Sequence, residues 1–134
     1  MSAPRPLAAG GFPSSLQGRV LLLVEDDADL REVIAEELAD EGARVRAVGS
    51  AEEALAALDG VDAVISDIGL SGTDGIAFMR ELRARGCSLP ALALTGWTGE
   101  GERDAVLAAG YQSYLTKPVT PEGLVAEIVR LLTR

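Results

Sequence analysis

Four short apolar runs in this chain each end in a residue that carries chemistry, and those endings constrain the fold more than any other feature. VLLLV (20–24) runs into Glu25, Asp26 and Asp27, and VDAVIS (61–66) runs into Asp67. ALAL (91–94) stops at Thr95, and SYL (113–115) stops just before Lys117 and Pro118. Short apolar runs bounded by turn residues read as buried strands, and the segments between them have helical period. Leu30, Val33, Ile34 and Leu38 recur with Arg31, Glu32, Glu36 and Glu37 opposite, and Gly42 supplies the stop. Arg44–Val48 reads as one more strand. Ser50 and Glu53 form a capping box for a helix carrying Ala54, Leu55 and Leu58. A helix from about Gly75 to Arg85 turns Ile76, Met79 and Leu82 inward, and another runs from about Gly101 to Ala109. Thr120 caps a last helix with Pro121 at its first position, extending to about Thr133.

Five strand–helix repeats predict an α/β fold, a (βα)5 doubly wound parallel sheet covered on both faces. Such sheets bind ligands outside the carboxyl ends of their strands. Glu25, Asp26, Asp67, Thr95 and Lys117 are therefore expected in one crevice.

At 134 residues the length suits a single domain. Residues 1–17 are rich in Pro, Ala, Gly and Ser and read as a flexible tail or linker without a core role, leaving 18–134 as the domain. A net charge of -9 argues against sequence-independent nucleic-acid binding. The single cysteine, Cys87, excludes an internal disulfide and a Cys-based zinc site. The chain has no histidine, so any phosphohistidine donor must lie in another molecule or domain. The longest aliphatic run is far too short to span a bilayer and no signal-peptide pattern is evident, so a soluble, cytoplasmic protein is expected.

The site residues each have a plain reading and a chemical one. The acids at 25–27 favour a helix N-terminus, but Glu25 and Asp26 fall at the strand end, where oxygen ligands suit Mg²⁺. Asp67 is either a turn acid or a nucleophile toward a phosphoryl group, giving an acyl phosphate. Lys117 is either a solvated charge or the cation that stabilises the transferring phosphoryl group. Thr95 offers a hydroxyl to a phosphoryl oxygen, or merely ends its strand.

The ordered set VEDD, SDIGLSGTDG, ALTG and YLTKP resembles the receiver domain of two-component response regulators over about Arg19 to Arg134. The resemblance implies a flavodoxin-like sheet of order 2-1-3-4-5. It makes Asp67 the phosphoacceptor, with Asp26, Asp67 and the Gly69 backbone carbonyl binding Mg²⁺ and Glu25 acting through a water. Thr95 and Lys117 would contact the phosphoryl group, and Thr95 and Tyr114 would form the switch. Ser71 stands where the family often has proline. Gly69 and Trp97 occupy positions that influence phosphoryl lifetime and pull it in opposite directions.

The implied function is a phosphoacceptor module in His-Asp phosphorelay signalling, with no turnover of an external substrate. It is either a stand-alone regulator or the receiver of a hybrid kinase. Its partners would be a histidine kinase or histidine phosphotransfer protein and a downstream protein target, with no direct nucleic-acid or membrane partner. On the last helix Leu124, Ile128 and Leu131 form one apolar stripe; Val125, Val129 and Leu132 form a second, either core packing or a homodimer or partner patch. Two other classes stay open: a phosphohydrolase with an aspartyl-phosphate intermediate, and a phosphorylation-independent scaffold.

Overall fold

The computed structural model describes residues 16–69, 74–96 and 100–133. Strands and helices alternate through them as β1 (Val20–Val24), α1 (Ala28–Asp40), β2 (Arg44–Val48), α2 (Ala51–Leu55), β3 (Ala63–Asp67), α3 (Gly75–Ala84), β4 (Ala91–Thr95), α4 (Glu100–Ala109), β5 (Ser113–Thr116) and α5 (Pro121–Leu132). All four strand pairings are parallel and the spatial order is β2-β1-β3-β4-β5. This is the doubly wound, flavodoxin-like order that the family resemblance implied. β3 and β4 are buried along their whole length, whereas the edge strands β2 and β5 are half open.

Alternation along the strands divides the core in two. Leu22, Val24, Val64, Ala91 and Ala93 pack under α2, α3 and α4 with Phe78, Leu82 and Val106. Leu21, Leu23, Ile65, Leu92 and Leu94 pack under α1 and α5 with Ile34, Leu38, Leu124 and Ile128. The first stripe of α5 therefore faces the sheet, while Val125, Val129 and Leu132 are half-buried at its margin.

Three sequence expectations need correction. The inward stripe of α3 is Gly75, Phe78, Met79 and Leu82, with Ile76 only half-buried. The stripe begins at a residue with no side chain, which hid its register. Val33 is 51% exposed because it lies at the margin of the line Leu30–Ile34–Leu38. Leu16, grouped with the tail, is fully buried in the α1–α5 cluster. A turn holds it there: Arg19 N donates to Leu16 O at 3.0 Å and Gly18 N to Gly42 O at 3.0 Å.

Caps set the helix starts. Asp27, Ser50, Asp74 and Thr120 each accept from backbone amides of α1, α2, α3 and α5 respectively. Asp27 is thus spent as a cap, leaving Glu25 and Asp26 to the crevice.

Candidate functional site

Register brings the strand ends together. Val24 pairs with Ser66, so the next residues, Glu25 and Asp67, stand side by side across the point where strand order reverses. Asp67 pairs with Leu94 and Thr95 with Thr116, which places Lys117 beside them. The Lys117 amide donates to Thr95 O at 2.7 Å, and the Lys117–Pro118 peptide is cis.

The side chains of Glu25, Asp26, Asp67 and Lys117 converge. Lys117 Nζ lies 3.2 Å from Asp67 Oδ1 and 3.2 Å from Glu25 Oε1. One carboxylate oxygen from each of Glu25, Asp26 and Asp67 lies within 4.8 Å of the others. Glu25 is 1% and Asp67 8% exposed. The Gly69 amide donates to Asp67 Oδ1 at 3.2 Å and the Asp27 amide to Glu25 Oε2 at 3.2 Å. Arg31 reaches over from α1 to donate to the Glu25 carbonyl at 2.9 Å. Thr95 is buried, and strand alternation puts it on the α2–α3–α4 face, the face on which half-buried Tyr114 also packs. Leu70, Ser71, Gly72, Thr73, Trp97, Thr98 and Gly99 lie outside the described residues, as do residues 1–15 and 134.

The electrostatics are those of crowded acids sharing one cation. Burial raises the Glu25 pKa above its ordinary value; the Asp27 amide opposes this, the Asp67 charge adds to it, and Lys117 opposes it. For Lys117 burial is the largest single influence and lowers the pKa. The charges of Asp67 and Glu25, with their hydrogen bonds, together outweigh it and hold the ammonium above its usual value. Three oxygen donors at this spacing fit a hard divalent cation, whose charge would relieve the repulsion that burial exposes.

A second layer escaped the sequence reading. Ser66 Oγ donates to the Asp67 carbonyl at 3.1 Å, and Tyr111 Oη donates to the Gly75 carbonyl at 2.8 Å. A Cβ on Gly75 would sit 2.5 Å from Asp67 O, so only glycine lets α3 start against the Asp67 backbone. The sole sequence signal was an aromatic with a polar tip directly after a helix-ending glycine, since a buried tyrosine usually finds a hydrogen-bond partner.

A doubly wound sheet thus gathers acids and a lysine at one carboxyl edge, with Thr95 ending the neighbouring strand. The family model for the response regulator receiver domain matches residues 21–129. The chain belongs to that family, the receiver domains of two-component response regulators. It is 38% identical over 116 residues to the uncharacterized 14.6 kDa protein in the sodA1 3′ region of Leptolyngbya boryana, covering 84% of this chain and 86% of that one. It is 40% identical over 116 residues to the two-component response regulator PhoP of Pseudomonas aeruginosa, covering 85% of this chain and 52% of PhoP. The chain thus spans about half the length of PhoP, and 55% of the Mycobacterium tuberculosis transcriptional regulatory protein TcrA. Among solved structures, chemotaxis protein CheY4 of Vibrio cholerae superposes with a TM-score of 0.82 at 28% identity, over 86% of this chain and 99% of CheY4. Among the described residues no helix is long and apolar enough to cross a membrane.

Proposed function

We propose that this domain accepts a phosphoryl group on Asp67 from a phosphohistidine on a histidine kinase or phosphotransfer protein. One observation carries the reading: Lys117 Nζ stands 3.2 Å from both Asp67 Oδ1 and Glu25 Oε1, at the mouth of the carboxylate cluster. In the transfer an Asp67 carboxylate oxygen attacks phosphorus and the P–N bond breaks. The electron pair stays on the partner's imidazole nitrogen. Lys117 and the Thr95 hydroxyl take the oxygens of the transferring group, whose charge they stabilise. Asp26, Asp67 and the Gly69 carbonyl would hold Mg²⁺, with Glu25 acting through a water; bound there, the ion offsets negative charge and polarises the phosphoryl oxygens. Water later attacks phosphorus, the P–O bond to Asp67 breaks, and inorganic phosphate leaves. Among the described residues a Cβ at Gly69 would meet nothing within 4 Å.

The new charge of about -1.5 to -2 draws Thr95 and Lys117 toward it, and Tyr114 turns inward behind them. That movement reshapes the surface of α4, β5 and α5 for a downstream protein. A phosphohydrolase would want a second acid two residues past the nucleophile; that position is Gly69.

Intact mass after exposure to Mg²⁺ and a small acyl-phosphate donor tests the assignment. The expected result is a gain of one phosphoryl group in the wild type and none in Asp67→Asn. Equal gain in both, or none in either, sinks it.

A further inference from the structure

We propose that Tyr111 is a positioning residue for the loop that carries the phosphoacceptor and the Gly69 metal ligand. The proposal rests on the functions given above to Asp67 and Gly69.

Tyr111 lies between α4 and β5 and is 3% exposed. Its hydroxyl donates to the Gly75 carbonyl, 36 residues away in sequence, at 2.8 Å. Gly75 is tied back to the end of β3: its amide donates to Ile68 O at 2.8 Å, and a Cβ on it would sit 2.5 Å from the Asp67 carbonyl oxygen. A carbonyl in the first turn of a helix already has the amide four residues on as a partner. The phenol's bond is therefore not needed to form α3. It fixes where α3 begins relative to β3.

Ser66 Oγ separately donates to the Asp67 carbonyl at 3.1 Å. Tyr111 thus holds the start of α3 directly, and the Gly75 amide carries that hold to the Ile68 carbonyl beside Asp67. Gly69 follows Ile68 directly, and its amide bonds Asp67 Oδ1. A tyrosine that only filled the core would pack equally well without its oxygen. The hydroxyl's consequence is the placing of a metal-binding carbonyl and the acceptor carboxylate, and outer contacts of that kind tune metal affinity.

The experiment uses the full chain as wild type, Tyr111→Phe, Tyr111→Leu and Ile128→Val, the last thinning the core on the opposite face of the sheet. Mg²⁺ affinity is read by calorimetry. Initial labelling by a small acyl phosphate is read across a Mg²⁺ titration, and thermal unfolding reports stability. Tyr111→Phe should bind Mg²⁺ about tenfold more weakly, the low end of what such outer contacts are worth. Its labelling rate should return to the wild-type rate at saturating Mg²⁺. Tyr111→Leu, which also lacks the hydroxyl, should move Mg²⁺ affinity the same way and serves alone if Tyr111→Phe does not fold. Ile128→Val should lose stability and keep its metal affinity. Wild-type Mg²⁺ affinity in both hydroxyl variants, or a labelling deficit that Mg²⁺ does not repair, overturns the positioning role and leaves the Asp67 reading intact. A wild type that neither binds Mg²⁺ nor takes up phosphoryl overturns that reading and this proposal with it.

Discussion

Lys117 balances two acids at once, and its removal should separate two effects that usually travel together. Lys117→Met takes one positive charge out of a pocket of three carboxylates, so Mg²⁺ should bind more tightly by calorimetry. Labelling of Asp67 by an acyl phosphate should nonetheless slow by about 10²-fold or more, since the developing phosphoryl charge loses a placed cation. Tyr111 gives a pH prediction. Burial is the main cause that raises its pKa well above the ordinary tyrosine value, so the folded state keeps the proton that the unfolded chain gives up. Its contribution is fully present below about pH 10 and is lost as pH rises beyond that. Denaturant unfolding of the wild type should weaken more steeply above pH 10 than that of Tyr111→Phe. At this scale the sequence displayed Glu25, Asp26, Asp67 and Lys117 because each is a polar ending to an apolar run. It concealed Tyr111 and Ser66 because their partners are backbone carbonyls of Gly75 and Asp67, which leave no mark in a sequence.

Among the elements, the helices depend on contacts from outside their own span. α2 is only five residues long; Ser50 caps its start, and Arg46 from β2 donates to the carbonyls of Ala57 and Asp59 beyond its end. Arg83 of α3 donates to Gly110 O at 2.8 Å and Cys87 O at 2.9 Å, tying the ends of α3 and α4 together. The start of α3 is the least forgiving junction. Gly75→Ala must push α3 off the Asp67 backbone and should destabilise the fold by about 1–3 kcal/mol in denaturant titration. It should also weaken Mg²⁺ binding, because the acceptor loop moves with the helix. Element positions were legible from apolar runs and caps: β1 and β2 match their expected bounds, and Ser50 and Thr120 cap as their patterns implied. The face of α3 was less legible, since its stripe opens on glycine.

For the whole molecule, 21 acids against 12 bases leave a net charge of -9, and the compact state suffers from its own repulsion. Thermal stability should therefore rise with added NaCl at neutral pH, with a further rise on adding Mg²⁺ that Asp67→Asn reduces. The margin of α5 offers a separate test. Val129 is half-buried against the α1–α5 core, so Val129→Glu should cost stability. If the same margin also joins two copies or docks a target, light scattering or partner affinity will change as well; if both hold, the margin is core packing alone. The alternation of strands and helices was plain in the sequence. Strand order was not, because pairing joins residues distant in the chain and no local pattern encodes it; only the family resemblance supplied it.

Leu16 has a practical corollary. It stoppers the amino edge of the sheet, with Gly18 bonded to Gly42 behind it. An amino-terminal splice that replaced Leu16 would uncork that edge, at about the 2–5 kcal/mol that emptying a buried leucine site costs. A neighbour fused at the amino end must therefore be joined upstream of Leu16.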